Sequence, residues 1–485
     1  MTAAVSTVTK LEQSPDGRAE APRPFGWRDK FGYMFGDFGN DFTFLLQSTF
    51  FLIFYTNVMG ISAAHVGTLL FAARILDAFT DVGAGRLIDV LPLGRSGRFK
   101  PWLMRIMVPV AAAAILMFSP FLQDGGYGAR LAWMVVTYIL WGSVFYTLIN
   151  IPYGAMASVI SRDPGHRASL SVFRSLGGTL ANMAISVALP AVVYVQISGR
   201  SVLSGERMML AAIGCGVLAV VCYLLCFVNV EERVQTPAKA PEQRMGLVQT
   251  LKTLVTNRAL TGLVLGALFM LIGQMLLTSM MAYTYNEYFN DGQLLSLVNF
   301  IGLAPTLLLV PFAANLTRIF GKKEVGVTGL TLGVVAGLVL FTIRTDDAYV
   351  FMAGYAVLML GIAALNILIW AFITDVIDCQ EIRTGERNDA TVYATYSWAR
   401  KLGQAAAGGL SGWALGWIGY QSSAGEGVVQ PQSVLEGIYT LTTLAPAILL
   451  GISALFLALW YPLSKKRVET NVATLKAAHE DTAQP

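Results

Sequence analysis

Asp77 and Asp81 stand four residues apart in an apolar stretch, Arg74-Ile-Leu-Asp77-Ala-Phe-Thr80-Asp81. Residues at i and i+4 share one face of a helix. A carboxylate near the centre of a bilayer costs roughly 2.5–3.5 kcal/mol even on a mild insertion scale. Two on one face need a shared ligand, either a cation or a proton, and point to ion-driven transport rather than passive anchoring. Arg74 offers the plainer alternative of an internal ion pair that holds helices together. One arginine still leaves a second carboxylate unmatched, which a bound cation or a held proton would match. Sodium takes hard oxygen ligands, and Thr80 and Asp81 both offer oxygen.

A second acidic pair, Asp37 and Asp41, lies in the first apolar segment with Asn40 beside it. Asp37 is near enough to one end to be read as solvated, whereas Asp41 lies deeper. The fourth segment contains Tyr146-Thr147-Leu-Ile-Asn150-Ile-Pro152-Tyr153-Gly154. Pro152 kinks a helix and frees a carbonyl. Thr147 could join a cation shell. Asn150 offers donor and acceptor together, which suits a sugar hydroxyl or an interhelical hydrogen bond. Arg174 falls in the fifth segment; Arg400 and Lys401 follow Ser397 and Trp398 in the eleventh. Adjacent helix residues point about 100° apart, so one of Arg400 and Lys401 faces a cavity squarely, and Lys401 is preferred. The alternative for all three is snorkelling to the interface. Gln274, Asn366 and Trp370 are softer substrate candidates. Asp375 and Asp378 end the tenth segment, where capping or pairing would explain them.

The elements that must position these groups are membrane helices. The chain has 485 residues, 55% hydrophobic and 13% charged, with mean hydropathy +0.58. Soluble domains carry about 25% charge, and a spanning helix needs about 20 mostly apolar residues. Twelve spans are expected near 31–57, 63–89, 102–122, 130–155, 169–195, 207–229, 257–285, 293–317, 325–343, 348–376, 391–418 and 434–462. Bases gather on alternate connections, as Arg95, Arg98 and Lys100; Arg162 and Arg167; Arg318, Lys322 and Lys323; Arg383 and Arg387. Both termini are therefore expected in the cytoplasm. The polar segments 1–28 and 464–485 read as disordered cytoplasmic tails, with no signal peptide in the first. The stretch 230–256 reads as a central cytoplasmic loop between two six-helix bundles, 29–229 and 257–463. Arg174-Ser-Leu-Gly177 echoes Arg400-Lys-Leu-Gly403, and a basic turn follows both the second and the eighth span. Six plus six parallel repeats are the pattern of the major facilitator fold. The four cysteines show no metal spacing and read as core thiols. Gly321-Lys-Lys-Glu lacks the phosphate-loop spacing, and neither HExxH nor a nucleophile elbow occurs, so an enzyme is not expected and no cofactor is needed beyond a coupling ion.

Five motifs together resemble the glycoside–pentoside–hexuronide:cation symporters, the melibiose-permease-like family. They are Gly36-Asp-Phe-Gly-Asn-Asp41, Phe54-Tyr-Thr-Asn-Val-Met-Gly60, Ala73-Arg-Ile-Leu-Asp-Ala-Phe-Thr-Asp81, Gly94-Arg-Ser-Gly-Arg-Phe-Lys-Pro-Trp102 and Asn150-Ile-Pro-Tyr-Gly154. The resemblance spans about residues 28–465. It implies alternating access around a central site, with one cation (sodium, lithium or proton) carried with one sugar across a bacterial inner membrane by a monomer. It matches Asp77 and Asp81 to the cation carboxylates, a possible sodium site, with Thr80 and Thr147 flanking them. It matches Asp41 and Arg174 to sugar-binding groups and Lys401 to the eleventh-helix lysine. The melibiose-carrying branch has lysine at Asn40, aspartate at Asn150, tryptophan at Gly154 and an aromatic at Asn366. These departures weigh against a galactoside and resemble the pentoside, xyloside and glucuronide branches. Tyr146, Gln274, Trp370, Ser397 and Trp398 complete the substrate candidates. The basic turns at 94–100 and 321–323 are expected to latch the cytoplasmic side, with Asp89 the partner of Arg95 and Arg98. The alternatives are a lysolipid-type carrier on the same scaffold and a membrane sugar sensor that does not transport.

Overall fold

Twelve long helical rods make up the bundle in a computed structural model, which describes residues 23–90, 97–161, 163–197, 200–233, 257–384, 389–422 and 429–483. The first half contains α1 (Trp27–Asn57), α2 (Ala63–Val90), α3 (Lys100–Met117), α4 (Tyr127–Ile160), α5 (Pro164–Met183, continued by Ala184–Ala188 and Leu189–Val193) and α6 (Gly205–Asn229). The second contains α7 (Arg258–Tyr288), α8 (Leu295–Phe320), α9 (Lys322–Ile343), α10 (Ala348–Thr384), α11 (Asp389–Trp417) and α12 (Gln432–Trp460). Among the described residues, ten of the rods are long and apolar enough to cross a membrane. The other two, α1 and α11, are as long but more polar, and they carry Asp37, Asn40 and Asp41 and Arg400, Lys401 and Gln404. Large apolar side chains such as Leu210, Val228 and Leu308 are exposed on the outside, the surface a multi-pass membrane protein turns to lipid.

The two halves repeat one packing scheme. The contacts of α1 with α5 and α6 recur as α7 with α11 and α12, and those of α3 with α4 and α6 recur as α9 with α10 and α12. The basic turns take part in the repeat. Lys100 Nζ donates to the Val230 carbonyl at the end of α6, at 2.6 Å. Lys323 Nζ donates to the Ala458 and Tyr461 carbonyls at the end of α12, at 2.9 and 2.8 Å. Glu232 accepts the backbone N–H groups of Arg98, Phe99 and Lys100, neutralising the orphan donors of a helix start. Asp29 is fully buried against Arg23 and Arg233, tying the chain entry to the end of the first half. Asp89, as a side chain, and Arg95 lie outside the described residues, as does the central stretch beyond Arg233.

Three features differ from the sequence expectation. The tail contains a helix, α13 (Lys465–Ala483), in place of an unstructured segment. Its sequence is rich in Lys, Ala and Glu, which favour helix, and Val468 packs on the core. The tenth rod continues past 376 to Thr384, so Asp375 lies within it and pairs with Lys322 at 2.6 Å. A hairpin of β1 (Tyr194–Ile197) and β2 (Arg200–Leu203) links α5 to α6, pairing Tyr194 with Leu203.

Candidate functional site

A cavity of about 360 Å³ lies inside the bundle, walled by α1, α2, α4, α5 and α11. It brings together most of the residues singled out in the first half: Asn40 and Asp41, Asp77 and Asp81, Tyr146, Thr147 and Asn150, and Arg174. A π-helical turn at Leu140–Tyr146 interrupts α4 where these groups enter. Such turns often mark functional sites in helices. Trp141 and Gly142, from that turn, and Thr147 just after it line the cavity.

The Asp77/Asp81 face is built from three helices. Ser143 donates to Asp77 Oδ1 at 2.7 Å, and Thr147 to Asp81 Oδ1 at 3.2 Å. Lys401 reaches from the other half of the bundle to Asp81 Oδ2 at 2.6 Å. Arg74 sits 3.8 Å from Asp77, with its guanidinium 5.5 Å from the centre of the Phe44 ring. Thr80 turns its hydroxyl back to the Asp77 carbonyl in its own helix. Carboxylate and hydroxyl oxygens from Asp77, Asp81, Ser143 and Thr147 form a hard donor set that fits a small cation or a proton.

The Asp41 side of the cavity is organised differently. Arg174 donates to Asp37 Oδ1 at 2.9 Å and lies over the Tyr153 ring. Asp37 is thus a buried partner of Arg174 and not a solvated end group. A Cβ at Gly178 would lie 2.9 Å from Asp41 Oδ2 and 3.1 Å from Asp37 Oδ2, so this glycine lets both carboxylates approach α5. Asn40 accepts from Tyr223 at 2.8 Å, while its Nδ2 is buried without a partner among the described residues. Four carboxylates (Asp37, Asp41, Asp77, Asp81) and four cations (Arg74, Arg174, Arg400, Lys401) line the space. Asp41 and Arg400 are the two without an ion pair among the described residues.

Arg400 and Lys401 both reach the cavity, although adjacent residues diverge on a helix. Their long side chains and the width of the space accommodate both. Of the other second-half candidates, Gln274 and Asn366 fall elsewhere. Asn366 donates to Gln274 at 2.9 Å, and the pair lines a separate cavity of about 140 Å³ with Asn182, Ser186 and Asn299. Trp398 packs against the core. The side chains of Trp370 and Ser397 lie outside the described residues. Ser143 and Gln404 were not anticipated. Ser143 lies inside the π turn, which hides it from an i, i+4 reading.

The halves meet most tightly at the face opposite the termini. There Gly67 of α2 crosses α11 so closely that a Cβ would lie 2.7 Å from the Gly409 carbonyl and 2.8 Å from Gly412 Cα. Small residues permit this approach. Hydrogen bonds between the halves gather on the same side, from Thr56 to Tyr283 and from Asn57 to Glu287. Towards the termini, Lys401 is 54% and Asp81 30% exposed, so the cavity opens to that face.

A polar cavity between two six-helix halves is what a carrier requires, and a family model described as MFS/sugar transport protein matches residues 32–465. The chain belongs to this family. It is 32% identical over 92% of its length to the uncharacterized symporter YjmB of Bacillus subtilis, covering 95% of that protein. It is 30% identical over 93% of its length to the glucuronide carrier protein homolog of Escherichia coli K12, covering 95%. It is 29% identical over 91% of its length to the putative sulfoquinovose importer of Salmonella typhimurium, covering 90%. Among solved structures, a bacterial homolog of the human lysosomal transporter Spinster has the same fold, with a TM-score of 0.65 at 15% identity, covering 92% of this chain and 99% of that one. Membership makes the chain a sugar transporter of the major facilitator type rather than an enzyme.

Proposed function

We propose that this protein is a cation-coupled symporter for a glycoside, pentoside or hexuronide, working by alternating access with sodium or protons as the coupling ion. One observation carries the reading. The Asp77/Asp81 face, with Ser143 and Thr147 donating into it, shares a single cavity with Asp41, Asn150 and Arg174. Cation and sugar groups on one wall can affect each other directly, and any such coupling is reciprocal.

In this mechanism the termini are cytoplasmic and the state described here is open to the cytoplasm. Lys401 then serves as the built-in counter-charge of Asp81. Closing that side and opening the other moves α11 against α2 and withdraws the ammonium. An incoming cation takes its place, since two carboxylates on one apolar face resist further closure unless they are neutralised. Thr147 transmits the occupied state along α4 to Asn150, where sugar hydroxyls bind with Asp41, Asn40 and Tyr146. On return, Lys401 competes for Asp81 and helps expel the cation inward.

Within this substrate set, an acidic sugar is favoured. Arg400 lines the cavity without an ion pair among the described residues, and two relatives are named for glucuronide and sulfoquinovose, both anionic. The test is uptake into right-side-out vesicles of a pentoside, a neutral glucoside and a glucuronide under imposed sodium or proton gradients. Accumulation above equilibrium that depends on one gradient supports the reading; gradient-independent equilibration of every sugar overturns it.

A further inference from the structure

The face opposite the termini contains a charged group that no part of the cation or sugar site uses. Glu287 lies in the π-helical turn Thr284–Tyr288 that ends α7. Three neutral donors converge on its Oε1: Asn57 Nδ2 from the last residue of α1 at 2.8 Å, Asn286 Nδ2 at 3.0 Å, and the Tyr420 hydroxyl just beyond α11 at 2.9 Å. The same hydroxyl lies 2.7 Å from Asn57 Oδ1. Asn57 belongs to the first half and the other three to the second, so the network ties the halves together. Neighbouring bonds run the same way. The Thr56 and Tyr283 hydroxyls are 2.8 Å apart, and the Ser201 N–H in the hairpin donates to Asn290 Oδ1 at 2.9 Å.

A polar cavity of about 230 Å³ borders this network, lined by Asn57, Arg200, Ser201, Asn286, Glu287 and Gln430 among others. Glu287 therefore has two environments to choose between. In the closed seam its carboxylate is satisfied by donors from both halves. When the seam parts, Asn57 leaves and water from the bordering space can replace it. Hydrogen bonds to an ionised acceptor are about twice as strong as neutral ones, so this residue concentrates the cohesion of the seam at one point. Removing the acceptor would take this partner from the amides of Asn57 and Asn286 and leave the Tyr420 hydroxyl to Asn57 Oδ1, so the seam would lose its strongest hydrogen bonds between the halves.

We propose that Glu287 is the latch of this face: its carboxylate holds Asn57 and Tyr420 together while the cavity is open to the termini side, and its release accompanies opening to the opposite side. The inference rests on the transporter reading but not on which sugar or cation is carried.

Two reporter positions test it. Gln47 is buried on α1 between Asp41 and Asn57, so a Gln47→Cys substitution becomes reachable when the latched face opens. Among the described residues, a Cβ at Gly154 would meet only Arg174 Nη1, at 3.9 Å, so Gly154→Cys fits and reads the termini side. Each is labelled with a membrane-impermeant maleimide from its own side, with the native chain and its four cysteines as the blank. Adding Glu287→Ala should raise labelling of Gln47→Cys by about tenfold and lower labelling of Gly154→Cys. Glu287→Gln and Tyr420→Phe should shift both in the same senses by less. Unchanged labelling at both positions in Glu287→Ala overturns the proposal. So does a rise at both, which would mean a loosened bundle rather than a released latch. Neither readout needs a transported substrate, so failure of the sugar assignment would appear separately, as absent uptake with the labelling shift intact.

Discussion

Lys401 of the second half holds Asp81 of the first, ammonium to carboxylate, at 2.6 Å. The two residues are 320 positions apart in the chain. Their bridge puts the counter-charge of a candidate cation site on the opposite moving body, which is where a coupling device needs it. Because the pair is partly exposed, its strength is modest, at most about 1 kcal/mol. A weak bridge can break and re-form in every cycle.

Lys401→Ala should therefore strengthen cation binding. Losing a competitor of this strength raises the apparent affinity by up to about fivefold. Release on the cytoplasmic side should slow correspondingly. Cation-dependent sugar binding to purified protein, followed by efflux from loaded vesicles, checks both effects. Unchanged cation affinity would remove the competition from the mechanism.

Ser143→Ala deletes a donor to Asp77 without altering the sugar wall. A hydrogen bond to a charged group is worth about 1.5–3 kcal/mol. The cation concentration needed for half-maximal sugar binding should shift by about tenfold or more, with little change in sugar affinity at saturating cation. A binding isotherm at several cation concentrations separates the two.

Gly178→Ala should dissociate stability from binding. Alanine is the better helix former by about 1 kcal/mol, so thermal stability should hold or rise. The added methyl would press on Asp41 and Asp37, and sugar affinity should fall. Melting in detergent beside sugar titration provides the comparison.

Asp29→Asn addresses the scaffold alone. Asp29 is fully buried between Arg23 and Arg233. Breaking a buried ion pair costs about 3–5 kcal/mol, so the variant should melt well below the parent while sugar affinity of the folded fraction stays near normal.

The twelve rods were legible because apolar segments of spanning length alternate with polar turns. The acidic pair Asp77/Asp81 was legible because a helix places i and i+4 on one face. Contacts across long sequence separations were not. Nothing local links Asp37 to Arg174, which are 137 positions apart, or Asn57 to Glu287, which are 230 apart. The π turn at Leu140–Tyr146 also breaks the 3.6-residue period on which face assignments depend, so the roles of Trp141 and Ser143 did not follow from spacing alone. Gln274 and Asn366 have the right chemistry for a sugar, but they line a second cavity. The tail helix was hidden by polarity, since a charged segment reads the same whether helical or unstructured.

In the proposed mechanism, Asp77 and Asp81 couple a cation gradient to sugar movement. The most direct measurement is sugar accumulation in vesicles by Asp77→Asn and Asp81→Asn, each under an imposed gradient. Both variants should lose gradient-driven accumulation while still binding sugar or exchanging it down its own gradient. Accumulation at the parent level in both variants would contradict it.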